Sequence, residues 1–289
     1  MLKTNEIIDF FKLENSHAKK ELGQNFLINE KVASDIVNAL GIKDSDSVLE
    51  IGPGLGALSE IIFKQTKNYV AVEYDQKFVN YLNKVFENSN VRIVKNNVLK
   101  FKEFTFNKII GNLPYYLTSD IVEYVALNFT NIEKAVFMVQ KECLKRFTAK
   151  SGKDYNSLNV LILYLYDVEE LFKVTKENFF PVPNVESLVF SMTPRKNIDR
   201  DLAKKIYKVA KICFSNRRKT ILNNLNTIAK NKSIISESLL ECNLKDSTRA
   251  EELDINDFEK LTLTLINKNV IKWGNDLWLK KRTRKLICL

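Results

Sequence analysis

The glycine turn, Gly52-Pro53-Gly54-Leu55-Gly56, concentrates three of the 8 glycines of this 289-residue chain within five positions. The apolar run 47–51 leads into the turn, and apolar residues at helical spacing follow it. A buried strand, a glycine-rich turn and a helix in this order open many nucleotide-binding α/β folds, because glycine lets the backbone approach a ligand closely. The segment therefore predicts an α/β layer that binds a ligand at the turn.

Strand-like and helix-like segments alternate on both sides of the glycine turn. A helical pattern over 30–41 precedes it, and strand-like runs at 69–74, 91–94 and 108–111 follow, with a helical pattern at 78–86. Strands and helices that alternate at this spacing indicate parallel strands joined by crossover helices. The predicted fold class is α/β, with a doubly wound, mostly parallel, Rossmann-like sheet.

The character of the sequence changes after Pro194. Two more strands are predicted at 135–139 and 187–192, but beyond Pro194 the patterns are helical, at 202–213 and 258–265. This change predicts two domains. Residues 1–195 are expected to form the α/β catalytic domain with an N-terminal helical arm, and residues 196–289 a smaller C-terminal helical domain.

An acidic residue stands where a bound nucleoside would need it. Glu73 ends the second predicted strand, 21 residues after Gly52, and a carboxylate there can accept hydrogen bonds from both ribose hydroxyls. With Ala57 the turn also fits the G-x-G-x-x-A pattern of dinucleotide sites, so NAD remains an alternative ligand. Glu50, just before the turn, would repel a pyrophosphate, whereas S-adenosylmethionine (SAM) carries a sulfonium and an amino-acid tail. The residues therefore favour SAM.

A short polar segment, Asn112-Leu113-Pro114-Tyr115, follows the fourth predicted strand. Ligands of an open parallel sheet bind at the carboxyl ends of its strands, so Asn112 is expected in the same crevice as the glycine turn and Glu73. The side-chain oxygen of Asn112 and the Leu113 carbonyl can accept both N–H groups of an adenine amine, which frees the nitrogen lone pair to attack a methyl group. Pro114 fixes the turn, and Tyr115 can stack on the base.

Charge points to a polyanionic partner. The chain holds 45 Lys and Arg against 35 Asp and Glu, a net charge of +10. Such a field favours nucleic acid or anionic lipid. Basic side chains are concentrated at Arg217, Arg218 and Lys219 and in the tail at 280–285, where they can contact phosphates.

Several other classes of protein are disfavoured. The 4 cysteines lie far apart and His17 is the 1 histidine, so no zinc site, disulfide framework or multi-histidine metal site is expected. The chain has no apolar run of about 18 residues, and its N-terminus lacks the apolar core of a secretion signal. We therefore expect a cytoplasmic protein that binds no metal and does not enter a membrane.

Taken together, these motifs resemble those of the ribosomal RNA adenine dimethyltransferases, of the KsgA type that acts on the small subunit. The resemblance covers nearly the whole chain, and its motifs occur in the order typical of the family. The matching segments are 23–27, 50–56, 112–115, 140–142, 179–185, 214–220 and 249–253.

The resemblance implies an activity, a cofactor and a partner. The activity is SAM-dependent dimethylation at N6 of two adjacent adenines near the 3′ end of small-subunit (16S) rRNA, in ribosome biogenesis. The partner would be small-subunit rRNA or a 30S assembly intermediate, and the enzyme would be a monomer. Residues 1–195 would then be the methyltransferase domain and residues 196–289 the RNA-binding domain.

The resemblance also assigns roles to individual residues. Asn112, Leu113, Pro114 and Tyr115 would form the catalytic motif. The residues implied to bind SAM are Asn25, Leu27, Glu50, Gly52, Gly54, Glu73, Asn97 and Asn112.

On the RNA side, Phe179 matches an aromatic residue that would face Tyr115 across the target base. Arg217, Arg218 and Lys219 would contact RNA phosphates.

The chain departs from the family pattern at two of these motifs. Asn97 stands where the family usually has an aspartate that accepts the adenine amino group of SAM. An asparagine can still accept through its amide oxygen, but without charge. Asn156 stands where the family often has glycine.

Three alternatives remain at this point. A methyltransferase of the erythromycin-resistance type would act on adenine in large-subunit rRNA, although Leu113 and the segment 217–220 favour the small-subunit type. A non-catalytic assembly or transcription factor could keep the fold and lose turnover. The third alternative is an NAD oxidoreductase.

Overall fold

A computed structural model describes residues 1–18, 24–229 and 231–271. The chain divides into two compact units, Met1–Thr148 with Ile162–Ile198, and Ala149–Leu161 with the chain from Asp199 onward. The sequence placed a single boundary at 195/196. The structure adds the internal segment 149–161 to the second unit, which no local sequence pattern indicates.

The first unit contains the strands, which form two sheets. The strands are β1 (Phe26–Leu27), β2 (Ser47–Ile51), β3 (Asn68–Glu73), β4 (Arg92–Lys95), β5 (Lys108–Asn112), β6 (Lys134–Gln140), β7 (Tyr166–Val174), β8 (Phe179–Phe180) and β9 (Ser187–Pro194). The order of strands in the larger sheet is β4-β3-β2-β5-β6-β9-β7, and the strands are parallel from β4 to β6 and antiparallel at β9 and β7. The prediction of a mostly parallel Rossmann-like sheet is confirmed.

β1 and β8 make a separate two-stranded antiparallel sheet. Leu27 pairs with Phe179 and Phe26 pairs with Phe180. This short ladder joins the residues that precede the glycine turn to a segment about 150 positions later in the chain. This ladder is not predictable from the sequence, because a strand of two residues carries no periodic pattern.

Local signals set the ends of the helices. Asn29 caps α2 (Glu30–Leu40) by accepting the Val32 N–H at 3.2 Å, and Gly41 ends this helix in the left-handed conformation, φ 65°. Asp75 caps α4 (Gln76–Val85) with its side chain, which accepts the Lys77 N–H. The helices of the described chain are α1 (Thr4–Leu13), α2 (Glu30–Leu40), α3 (Ser59–Ile62), α4 (Gln76–Val85), α5 (Thr118–Asn128), α6 (Lys145–Thr148), α7 (Ser157–Leu165), α8 (Arg200–Cys213), α9 (Ile221–Leu225), α10 (Ser233–Glu241) and α11 (Ile255–Asn267).

The described part of the second unit is helical, without strands. Its core includes Ile206 and Val209 of α8 and Leu261 and Leu265 of α11, all fully buried. Asn156 caps α7, since its side-chain oxygen accepts the Leu158 N–H at 2.8 Å. Its φ is not positive, so this position does not require the glycine that the family often has.

The described residues show neither a membrane-spanning helix nor a cluster of metal ligands. None of the helices there is long and apolar enough to cross a bilayer. The same residues hold no group of three or more His, Cys, Asp or Glu side chains arranged to bind a metal ion.

Candidate active site at the carboxyl edge of the sheet

The glycine turn is tied to the end of β3 by two backbone donors. Gly52, φ 67°, donates its N–H to the Val72 carbonyl at 3.0 Å, and Gly54, φ 56°, donates to Glu73 Oε2 at 3.1 Å. A Cβ at Gly52 would lie 4.0 Å from the carbonyl oxygen of Asn112. The structure therefore brings the turn, Glu73 and Asn112 together at one edge of the sheet, as the sequence predicts.

Glu73 is buried and surrounded by backbone donors. Its Oε1 accepts the N–H groups of Tyr74 at 2.7 Å and Asp75 at 2.8 Å, while Oε2 accepts the Gly54 N–H. Burial raises the pKa of the carboxyl, and these N–H bonds oppose the rise. A carboxylate has roughly four acceptor positions. Oε2 accepts one of these three N–H groups and so keeps acceptor capacity, and the binding of both ribose hydroxyls by Glu73 stays a prediction.

Asn112 is held by its amide nitrogen. Nδ2 donates to the Asn25 carbonyl oxygen at 3.4 Å, so the side chain presents Oδ1 as an acceptor. The Tyr115 hydroxyl hydrogen-bonds to the side chains of Asn25 and Ser187, and burial raises the pKa of this phenol. Asn25 therefore contacts both Asn112 and Tyr115. This role of Asn25 and the contact of Ser187 are not predictable from the sequence, because one serine in a strand is not a distinctive signal.

The backbone around Leu113 is fixed on both sides. Leu113 donates its N–H to the Met138 carbonyl at 3.0 Å, and its side chain is buried. The Pro114 carbonyl accepts the Leu117 N–H and the Thr118 hydroxyl, each at 3.1 Å. The Pro114 carbonyl is therefore occupied by the first turn of α5, and the role of the Leu113 carbonyl as an acceptor stays a prediction.

Asn97 lies beside Glu73 at the end of β4. The Asn96 N–H donates to the Glu73 carbonyl at 3.0 Å. Asn97 Oδ1 accepts the Leu99 N–H at 2.9 Å and so caps a 3₁₀ turn at Val98–Lys100. A carbonyl oxygen has a second lone pair, which remains suited to an amino group.

Glu50 does not contribute its side chain to the cleft. It is 1% exposed, and its Oε2 accepts the Ser59 hydroxyl at 2.7 Å and the Tyr69 hydroxyl. Burial raises the pKa of Glu50 to about 7, although the two hydroxyl bonds lower it. This corrects the expectation that Glu50 binds the cofactor, because its accepting oxygen is used inside the protein.

The burial of Glu50 predicts a pH-dependent stability. The pKa of Glu50 is raised from 4.5 to about 7. The stabilisation that the buried carboxyl group contributes is therefore full below pH 4.5 and is lost as the pH rises through 7. The Glu50→Gln side chain stays neutral at both pH values. We therefore expect the free energy of unfolding of this variant, relative to that of the wild type, to rise by about 2 kcal/mol from pH 5 to pH 8. Urea denaturation at both pH values measures this.

Glu87→Gln provides the matched control for that measurement, because Glu87 is exposed. Its stability relative to the wild type should not change with pH. If the stability difference between Glu50→Gln and the wild type is also the same at both pH values, burial does not raise the pKa of Glu50.

Phe179 is not available to stack on a base. Its side chain is 1% exposed and packs in the core with Leu27, Val174 and Val189. The β1–β8 ladder turns the ring inward, and the sequence could not show this orientation. This corrects the expectation that Phe179 faces Tyr115 across the target base.

Arg217 is used within the second unit. Its guanidinium donates to the carbonyls of Tyr155 at 2.8 Å and Gly152 at 3.0 Å, and pairs with Glu251 at 2.8 Å. These contacts fasten the segment 149–161 to its unit. The expectation that Arg217 binds phosphate is therefore corrected to a structural role.

Arg218 and Lys219, which follow Arg217, are both exposed. They remain candidates for phosphate contact. Gly23 of the first matching motif and the basic tail at 280–285 lie outside the described residues.

The fold and the geometry of the site identify the class of protein. The glycine turn, an acid at the end of β3 and the segment 112–115 lie on one edge of a mostly parallel Rossmann-like sheet. This is the arrangement of a Rossmann-like methyltransferase.

Comparison with known proteins identifies the family within the Rossmann-like methyltransferases. A family model described as "Ribosomal RNA adenine dimethylase" matches residues 15–267. A small-subunit rRNA methyltransferase A of Malacoplasma penetrans is 43% identical over 256 residues, covering 86% of this chain and 92% of that protein. The protein of the same name from Mycoplasmopsis pulmonis is 36% identical, covering 86% and 99%. The chain belongs to the ribosomal RNA adenine dimethylase family.

Two solved structures are similar to this chain. A dimethyladenosine transferase from Plasmodium falciparum has a TM-score of 0.74 at 26% identity, covering 85% of this chain and 98% of that one. The 23S rRNA methyltransferase ErmE has a TM-score of 0.63 at 22% identity, covering 84% and 100%. The second likeness concerns the fold alone.

Proposed function

We propose that this protein transfers methyl groups from SAM to N6 of two adjacent adenines near the 3′ end of small-subunit (16S) rRNA. The observation that carries the proposal is the place of Asn112, whose amide is tied to the Asn25 carbonyl through Nδ2 and whose backbone carbonyl lies 4.0 Å from the Cβ position of Gly52, in the turn that also contacts Glu73. Relatives named as small-subunit rRNA methyltransferases support the choice of RNA. We further propose that it acts as a monomer in the cytoplasm, on a 30S assembly intermediate.

The residues of the cleft fit SAM. The turn offers backbone without side chains at Gly52 and Gly54, Glu73 Oε2 has an open acceptor position for a ribose hydroxyl, and Asn97 Oδ1 can accept from an adenine amino group. When bound, SAM supplies a methyl group on a positively charged sulfur. Asn25 stands at the same edge through the bond from its carbonyl oxygen to Asn112, whereas the side chain of Leu27 is buried in the core with Phe179.

The chain's own residues prepare the adenine amine for attack. Asn112 Oδ1 and the Leu113 carbonyl accept the two N–H bonds, so the nitrogen becomes tetrahedral and its lone pair becomes available. Tyr115 holds the base in place by stacking. Because the nitrogen loses its proton after it has gained a methyl group, no strong general base is needed. Positioning therefore supplies much of the rate.

The target adenine has to leave its stack to reach Asn112. Exposed basic groups such as Arg218 and Lys219 contact phosphates and orient the RNA without reading its sequence. The net charge of +10 strengthens this attraction. RNA binding should therefore weaken as salt rises.

One experiment tests the proposed function. Purified protein is mixed with methyl-labelled SAM and small subunits that lack the modification, and adenosines are analysed by mass spectrometry. Dimethyladenosine in small-subunit RNA is the expected product. Label in large-subunit RNA would favour the resistance-type alternative, and RNA binding without label would favour a non-catalytic assembly factor. Parallel titrations with SAM and NAD separate the oxidoreductase alternative.

Replacing Asn97 with aspartate is predicted to raise the affinity of the protein for the cofactor. Asn97→Asp keeps the cap on Leu99, because aspartate is a good N-cap, and adds a charge toward the adenine amino group. We expect S-adenosylhomocysteine to bind about fivefold more tightly, measured by calorimetry. Equal or weaker binding would show that Asn97 does not face the adenine.

A further inference from the structure

Helix α1 packs beside the glycine turn, although it lies outside every motif used so far. The helix ends at Leu13, before residue 15, where the match to the family model begins, so the family assigns it no role. Its buried side chains are Ile7, 1% exposed, and Phe11, 8% exposed. These two side chains share one apolar cluster with three residues from the first part of the α/β unit, Phe26, Leu55 and Phe78.

The cluster reaches the glycine turn through Leu55 and Gly54. Three of the five residues of the turn are glycines, so side-chain packing can fix its shape only through Pro53 and Leu55. Leu55 is 5% exposed and belongs to the cluster. The Cβ position of Gly54 lies 3.4 Å from Cε1 of Phe26. The Phe26 ring therefore packs directly against the backbone of the turn.

The Phe26 ring is itself held by aromatic side chains of α1 and α4. The ring centroid of Phe11 lies 5.7 Å from that of Phe26 and 6.4 Å from that of Phe78, and the last two are 5.5 Å apart. The end of α1 is also fastened to α4, because Lys77 Nζ donates to the Glu14 carbonyl at 3.1 Å. Phe11 is therefore the contact through which α1 supports Phe26.

We propose that α1 positions the glycine turn for the cofactor, with Phe11 as the positioning residue. The inference rests on the proposed function, in which the turn binds SAM. Gly52, Gly54 and Gly56 have φ angles of 67°, 56° and 83°, and glycine loses more conformational freedom on ordering than any other residue. A turn that is already held in its binding conformation costs less free energy to order when the ligand binds. Without Phe11, the Phe26 ring loses its support, and the affinity for SAM falls.

Calorimetric titration of the full chain with S-adenosylhomocysteine, in the absence of RNA, tests the proposal. Phe11→Ala is expected to weaken binding about tenfold, because the turn has to be ordered when the ligand binds. Phe11→Leu keeps a large apolar side chain, so its affinity should fall between those of Phe11→Ala and the wild type. This milder variant carries the test if the alanine variant does not fold.

Phe86→Ala is the matched control for the loss of a buried ring. Phe86 is 6% exposed and packs on the Phe63 ring, with centroids 5.3 Å apart. It follows the last residue of α4, and the ten residues of this helix separate it by about 15 Å from the end that adjoins Glu73. Phe86→Ala should therefore lose stability in urea denaturation, as Phe11→Ala does, but bind S-adenosylhomocysteine like the wild type.

Steady-state methylation of small subunits separates positioning of the cofactor from a general loss of structure. Phe11→Ala should raise the KM for SAM about tenfold while kcat and the KM for small subunits stay unchanged. A variant that is only less stable would lose active protein, which lowers the apparent kcat and leaves both KM values as they are.

Each other outcome overturns the inference. An unchanged cofactor affinity for Phe11→Ala would show that α1 only stabilises the fold. Equal losses of affinity for Phe11→Ala and Phe86→Ala would assign the effect to lost stability. A lower kcat at an unchanged affinity would place the effect on the chemical step. If the wild type binds no S-adenosylhomocysteine, the proposed function itself fails, and the inference fails with it.

Discussion

Asn112→Ala is expected to lower the rate of methyl transfer about a thousandfold or more while RNA binding persists. The variant loses Oδ1, the side-chain acceptor that draws the adenine amine out of conjugation. It also loses the Nδ2 bond to the Asn25 carbonyl, which sets the direction of the amide. RNA contacts are carried by other groups and should remain. Single-turnover methylation of small subunits and a separate RNA-binding titration measure the two effects.

The variant Asn128→Ala is the control for the loss of an asparagine side chain outside the site. Asn128, at the end of α5, donates Nδ2 to the Tyr124 carbonyl at 2.8 Å. Asn128→Ala should therefore keep its turnover. Equal product from Asn112→Ala and the wild type would mean that another residue carries the chemistry.

Gly111→Ala is expected to destabilise the protein by about 3 kcal/mol and to abolish methyl transfer. A Cβ at this position would lie 2.6 Å from the Ile51 carbonyl oxygen and 3.0 Å from Leu113 Cδ2. The first of these atoms is backbone of the neighbouring strand, so β2 and β5 have to separate. Because β2 leads into the glycine turn and β5 ends at Asn112, the separation also displaces the two halves of the site.

Urea denaturation compared with Gly41→Ala tests this prediction. Gly41 has nothing within 4 Å of its Cβ position but a φ of 65°, so alanine there meets only backbone strain of about 1 kcal/mol. Gly111→Ala should be the less stable variant. The reverse order would show that the sheet adapts to the methyl group.

Much of the α/β unit could be predicted because its signals are local. Asn29 and Gly41 mark the ends of α2, and the glycine turn separates β2 from α3 within a few residues. The same holds for the cleft. Glu73 and Asn112 each end a strand, and the carboxyl ends of neighbouring parallel strands meet at one edge.

The rest depends on contacts between distant residues. β7 was missed because its sequence, YDVEELFKV, lacks regular alternation, as expected for an edge strand with charged positions. From the sequence alone, Arg217 is predicted to bind phosphate. Its structural role becomes visible only through its partners Tyr155 and Glu251, which lie 62 and 34 residues away in the chain. Phe179 and Glu50 were assigned to the ligand by motif, but whether a motif side chain points into a cleft or into the core depends on packing.

The position of β9 has a consequence for how the protein is made. β9 lies between β6 and β7, and β7 pairs with no other strand of the larger sheet. During synthesis, β6 therefore presents an open hydrogen-bonding edge, and β7 has no partner, until Pro194 has emerged. A nascent chain that stalls before this point holds every residue of the segment 112–115 but an incomplete sheet, and we expect it to bind a chaperone that shields unpaired strands.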